Sequence, residues 1–140
     1  MQARIKWIEN MAFVAESGSG HAVVIDGPPE LGGRNLGARP MELLLMGVGA
    51  CSSVDVVMIL KKGRQPVTDC VCELKAERAA VEPKVFTAIH LQFIVTGRGL
   101  NPMQVQRAVQ LSAEKYCSAS IMLSKGEVTI THGFEIREST

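Results

Sequence analysis

The chain has 140 residues, 46% of them hydrophobic, enough for one domain with a real core and too few for two conventional ones. Lys and Arg number 15 against 14 Asp and Glu, and no basic block occurs, which argues against a nucleic-acid partner. One Trp, one Tyr and four Phe leave the core to Leu, Ile, Val, Met and Ala.

Met1-Gln-Ala-Arg-Ile-Lys-Trp7 carries charges among its apolar residues and lacks the continuous apolar run of a secretory signal, so the cytoplasm is the expected location. Residues 3–16 and 21–26 read as two strands joined by the turn-forming Ser17-Gly18-Ser19-Gly20. The loop from Asp26 to Gly33 and a short strand near 34–38 lead to Arg39-Pro40, and Pro40 suits a first helical turn, where its missing N–H is not needed. The helix expected over 41–62 is apolar around most of its circumference and would run ~33 Å at ~1.5 Å per residue. One lane of it, Gly47, Cys51 and Asp55, is small or polar, so something has to pack closely against that lane or bind beside it. Leu43 to Leu60 approaches the length of a membrane span. Asp55 lies well inside it, and a carboxylate at mid-bilayer costs roughly 2.5–3.5 kcal/mol, which favours a buried helix with no membrane partner. Lys61, Lys62 and Gly63 suit its C-terminus.

Residues 67–78 alternate, with Thr68, Cys70, Cys72, Leu74 and Ala76 turned to the core, and 86–95 alternate with Ile89, Leu91, Phe93 and Val95 on one face. The two are expected to form an antiparallel hairpin. Asn101 as N-cap, Pro102 at the first helical position, Gln104 reaching back and a Leu100–Val105 staple open the next helix. Val105, Val109, Ala113 and Cys117 at four-residue steps place Cys117 at the end of its apolar face. Residues 118–125 form a further short helix, and alternation from Val128 to Ile136 marks a last strand over 127–137. The expectation is one α+β domain over 1–140: N-terminal strands and loop (1–40), central helix (41–62), strand pair (67–95), helices (101–125) and last strand.

Four cysteines in a chain of this kind read as thiols and not as a disulfide framework. Cys70 and Cys72 read as core packing. Their C-x-C spacing lacks paired C-x-x-C knuckles, so neither a metal nor a cofactor is assigned. Cys51 and Cys117, brought from two helices to one place, have the makings of peroxide chemistry, which needs one sulfur to attack and a second to resolve the product. The residues alone leave that reading open beside simple core filling. His132 reads as a hydrogen-bonded core residue, whereas Asp55, a carboxylate one turn after Cys51 in an apolar helix, must find a partner.

The run Pro40-Met-Glu-Leu-Leu-Leu-Met-Gly-Val-Gly-Ala-Cys51, with Tyr116-Cys117-Ser118 later, resembles the OsmC/Ohr family of osmotically inducible and organic-hydroperoxide-resistance proteins. Met41 through Lys62 is similar to its YhfA-like branch, and the order of strands and helices agrees over nearly the whole chain. The resemblance implies an OsmC-like α+β fold in which antiparallel sheets wrap two long central helices of an intertwined homodimer. It implies that Cys51 attacks an organic or fatty-acid hydroperoxide, that Cys117 captures the sulfenic acid, and that a dithiol such as a lipoylated protein reduces the resulting disulfide, in oxidative-stress defence. The family's catalytic Glu position holds Met41, with Glu42 one place later and turned by about 100°. The family's hairpin Arg has no counterpart in Ser17–Gly20, which leaves Arg39, then Arg34 and His21, as the nearest substitutes. Glu42, Arg39 and Asp55 are the supporting residues expected around the pair. An ordinary thiol with a pKa of ~8.5 is only a few per cent thiolate near neutrality, so slower chemistry is expected here. The alternatives are a non-catalytic member that binds a small hydrophobic ligand in an interface cleft, and a thiol redox sensor.

Overall fold

Asn10, at φ 48, turns the chain back on itself in the computed structural model, which describes residues 1–140. Asn enters left-handed backbone more readily than most residues, and the Trp7 indole N–H donates to its carbonyl at 2.8 Å. The single strand expected over 3–16 is therefore two, β1 (Ala3–Glu9) and β2 (Ala12–Ser17). The expected turn at Ser17–Gly20 joins β2 to β3 (Ala22–Asp26), and the three strands form an antiparallel sheet in the order β1-β2-β3. The short strand expected near 34–38 is reduced to one bridge between Ile25 and Ala38. The reason is Asp26, whose carboxylate takes the backbone N–H groups of Arg34 and Leu36 at 2.9 and 3.1 Å. A Cβ on Gly33 would collide with the Gly27 carbonyl, so this loop closes only over a glycine. These elements, with the first turn of the next helix, make one unit, Met1–Leu44.

α1 (Pro40–Lys62) begins with a reciprocal cap: the Leu43 N–H bonds the Arg39 carbonyl and the Glu42 carboxylate accepts the Arg39 N–H at 2.9 Å. It ends with Lys61 and Lys62, and the left-handed residue after it is Arg64, at φ 55, where the sequence suggests Gly63. Its buried residues are Val48, Gly49, Ser52, Val56 and Leu60. Gly49 is the closely packed glycine, since a Cβ there would lie 2.6 Å from Leu74 Cδ1. Gly47, the glycine of the expected small lane, faces open space within the chain.

The second unit, Leu45–Thr140, holds a three-stranded sheet in the order β4-β5-β6, with β4 Val67–Arg78, β5 Phe86–Gly97 and β6 Thr129–Glu138. β4 and β5 pair antiparallel as expected, while β6 joins β5 in parallel. Ile89, Leu91, Phe93 and Val95 of β5 are all at most 1% exposed, each burial contributing roughly 1.5–3 kcal/mol. Phe86 is also buried although it lies three positions before Ile89, an odd step that should put it on the other face. A register shift at Glu77/Arg78 accounts for this, because one extra residue in a ladder flips the faces.

α2 (Pro102–Leu111) starts at Asn101, whose side chain accepts from Met103 N and Gln104 N. The expected back-bond from Gln104 is replaced by Gln65, whose Oε1 accepts the Asn101 N–H at 2.8 Å. The helix does not continue to Cys117. It loosens into a π-turn, Ser112–Tyr116, and α3 (Ser118–Lys125) follows. The fold is mixed α+β, with two three-stranded sheets and three α-helices.

Candidate functional site

Cys117 sits at the break between the π-turn and α3, with extended backbone (φ −70, ψ 101), and not on a helix face as its spacing from Val105 suggests. Its N–H bonds the Ser112 carbonyl at 2.8 Å, closing the π-turn, and its sulfur is the N-cap of α3, accepting the Ser120 N–H at 3.4 Å. π-Turns inside helices occur often at functional sites. Here the wider turn brings a sulfur out of the helical spiral and aims it at α1.

The alignment of α1 against this turn is set by two serines. Ser52 and Ser112 are both buried and their hydroxyls lie 2.7 Å apart, with Ser112 also donating to the Ser52 carbonyl at 3.1 Å. The residue before Ser52 is Cys51 and the residue that closes the turn begun at Ser112 is Cys117, so this pin puts the two sulfurs together. Cys51 lies beside Cys117, both are free thiols, Cys51 is half-buried and Cys117 is fully buried. Burial pushes the Cys117 thiol up; donors from Ser120 oppose that rise and the Cys51 neighbour adds to it. The arrangement presents one half-buried sulfur beside one shielded sulfur.

Cys70 and Cys72 stand on the half-buried face of β4. Burial pushes Cys72 up to about 11 against a hydrogen bond from Ser53, and burial followed by the Asp69 charge raises Cys70. Asp55, one turn beyond Cys51, has a buried Oδ2 with no donor in the chain. Glu42 is engaged in capping α1 through the Arg39 N–H, and nine residues along a helix from Cys51 place it about 180° around the axis and roughly 13 Å along it. The Arg39 side chain is exposed and forms no ion pair, Arg34 pairs with Glu9 at 2.7 Å, and exposed His21 bonds Ser17 through its backbone N–H. His132 is half-buried on β6, and no cluster of three or more His, Cys, Asp and Glu side chains is placed to hold a metal.

Sequence reasoning passes over Ser52, Ser112 and Ser120. The available signal is a hydroxyl next to each cysteine in an otherwise apolar setting, and the Cys117-Ser-Ala-Ser120 spacing of an N-cap and its third helical residue.

The model of the OsmC-like protein family matches residues 32–133. The chain belongs to the OsmC-like family. Within the family it is 52% identical over 139 residues to Protein YhfA of Escherichia coli, covering 97% of this chain and 98% of that relative. The crystal structure of a hypothetical protein from Aquifex aeolicus superposes with a TM-score of 0.86 at 29% identity, covering 99% of this chain and 97% of that one. An organic hydroperoxide resistance protein OsmC from Legionella pneumophila shares the OsmC-like fold at a TM-score of 0.69 and 20% identity, covering 96% of this chain and 95% of its own.

Proposed function

We propose that this OsmC-like protein reduces organic or fatty-acid hydroperoxides through Cys51 and Cys117. The observation that carries the proposal is the side-by-side placement of a half-buried and a fully buried thiol, with Cys51 next to the Ser52 pin and Cys117 at the N-cap of α3. The Cys51 thiolate attacks the hydroperoxide, the O–O bond breaks, the alcohol departs after taking a proton, and Cys51 is left as a sulfenic acid. Cys117 closes a disulfide onto it, and an external dithiol, with a lipoylated protein as the class expected from the resemblance, returns both thiols. Immediate resolution protects Cys51 from irreversible oxidation. The Legionella neighbour's description as a hydroperoxide resistance protein supports this reading.

The working unit in this proposal is a cytoplasmic homodimer. Leu44, Gly47, Cys51, Val54 and Met58 follow one another along α1 at steps of three and four, the spacing of a helix–helix seam. Leu44, Val54 and Met58 are 54%, 66% and 42% exposed, and Gly47 meets nothing. α1 is long and apolar enough to span a bilayer by length and composition. Its opposite face is committed to Ser112 and to the core of its own unit, so a second copy of the chain is the cover that suits the stripe.

A second reading is favoured by one observation: an open groove of about 540 Å³ lined by Ser53, Val54, Val57, Met58, Lys61 and Lys62, with apolar walls and a cationic end. A non-catalytic protein that binds a small apolar acid there would also fit it. Stopped-flow reaction with cumene hydroperoxide separates the two. The peroxidase reading predicts consumption faster than by a free thiol and abolished by Cys51→Ser; a rate equal to that of free cysteine favours the binding protein.

A further inference from the structure

Ser120 is the third residue of α3 and is 1% exposed. Its N–H donates to the Cys117 sulfur, but its hydroxyl is buried with no hydrogen-bond partner. Buried hydroxyls are ordinarily satisfied, and the third residue of a helix is placed to reach back to the N-cap side chain. In α3 that side chain is a sulfur. The Cys117 thiol makes one long contact of its own, to the Val48 carbonyl at 4.0 Å. A neutral thiol is a weak acceptor, whereas charge strengthens a hydrogen bond considerably. A donor that is idle beside the neutral sulfur, at the positive end of a helix, gains its acceptor only when that sulfur becomes a thiolate.

We propose that the Ser120 hydroxyl, together with its own N–H, holds Cys117 as a thiolate during resolution, making Ser120 a positioning residue of the thiol cycle. This rests on the reading of Cys51 and Cys117 above. In the step it serves, the Cys117 thiolate attacks the sulfur of the Cys51 sulfenic acid. The S–S bond forms as the S–O bond breaks, Cys117 is oxidised and the Cys51 sulfur reduced, and the leaving hydroxide takes up the proton that Cys117 gave up and departs as water. When an external dithiol reopens the bond at the more exposed Cys51 sulfur, Cys117 leaves into the same two donors. Both donors act to lower the Cys117 pKa against its burial.

The test is a titration of thiolate absorbance in a protein whose other three cysteines are replaced by serine, so that Cys117 is the sole thiol. Ser120→Ala is expected to raise the midpoint by about half a pH unit or more, a threefold or larger loss of thiolate on the rising limb, and Ser120→Thr is expected to restore it. Should Ser120→Ala fail to fold, Ser120→Thr and Ser120→Val form an isosteric pair that differs by the same hydroxyl, and the same displacement is required between them. Equal midpoints with and without the hydroxyl overturn the proposal. With all four cysteines present, Ser120→Ala should slow closure of the 51–117 disulfide several-fold after one equivalent of cumene hydroperoxide while leaving hydroperoxide capture by Cys51 unchanged. Loss of capture in the unaltered protein counts against the peroxidase reading, and the titration then decides Ser120 by itself.

Discussion

At Cys72 the thiol keeps its proton to about pH 11, because burial outweighs the hydrogen bond from Ser53. Cys70 and Cys117 are raised as well. Below the ordinary thiol value, about 9.0, these thiols are neutral in both the folded and the unfolded chain. Above it the unfolded chain loses protons first, so folding stability must fall as pH rises from about 9 toward 11. Urea unfolding over that range should show the fall, and Cys72→Ser should flatten it. Asp26 behaves oppositely: the N–H groups of Arg34 and Leu36 hold its carboxyl below 3.8. Its stabilisation is therefore present above 3.8 and lost as pH falls through the folded value. Asp26→Asn is expected to lower Tm at neutral pH and to lose part of the acid-side drop; equal melting curves at every pH would leave Asp26 without that role.

At the scale of elements, the Ser52–Ser112 pin is what registers α1 against the π-turn. Ser112→Ala leaves the buried Ser52 hydroxyl without its partner and should cost about 1–3 kcal/mol. Ser52→Ala leaves Ser112 still donating to the backbone carbonyl of residue 52 and should cost less, and the double replacement should cost less than the sum of the singles. Chemical denaturation of the four proteins measures this coupling, and strict additivity would remove the pin. The same elements show what sequence alone can and cannot disclose. α1, β4, β5 and the Asn101 cap are legible because their apolar spacing or capping chemistry is local. The turn at Asn10 carries no Gly or Pro to announce it, and Asp26 dissolves a strand through donors eight and ten residues away. Four-residue steps from Val105 to Cys117 mimic a continuous helix, and cysteine is not among the usual N-cap residues, so the break that aims Cys117 at Cys51 has no local signature. Both site cysteines can be picked from the sequence; the hydroxyls that fix them cannot, because each depends on a contact made by folding.

For the whole molecule, the uncovered stripe on α1 and the unsatisfied Oδ2 of Asp55 call for a partner surface. Light scattering on dilute protein without detergent should report a dimer. Val54→Asp, which puts a charge into the stripe, should shift the population to monomer or to unfolded chain, with Tm becoming strongly dependent on concentration. A monodisperse, folded monomer of the unaltered chain would remove the dimer from this account.

If Cys51 and Cys117 act together on a hydroperoxide, peptide mapping by mass spectrometry after one equivalent of cumene hydroperoxide should find a 51–117 disulfide with Cys70 and Cys72 left as thiols. Cys117→Ser should abolish the linkage and leave Cys51 as a sulfenic or sulfinic acid. A 70–72 linkage, or Cys51 recovered as an unmodified thiol after the peroxide is spent, would contradict that joint action.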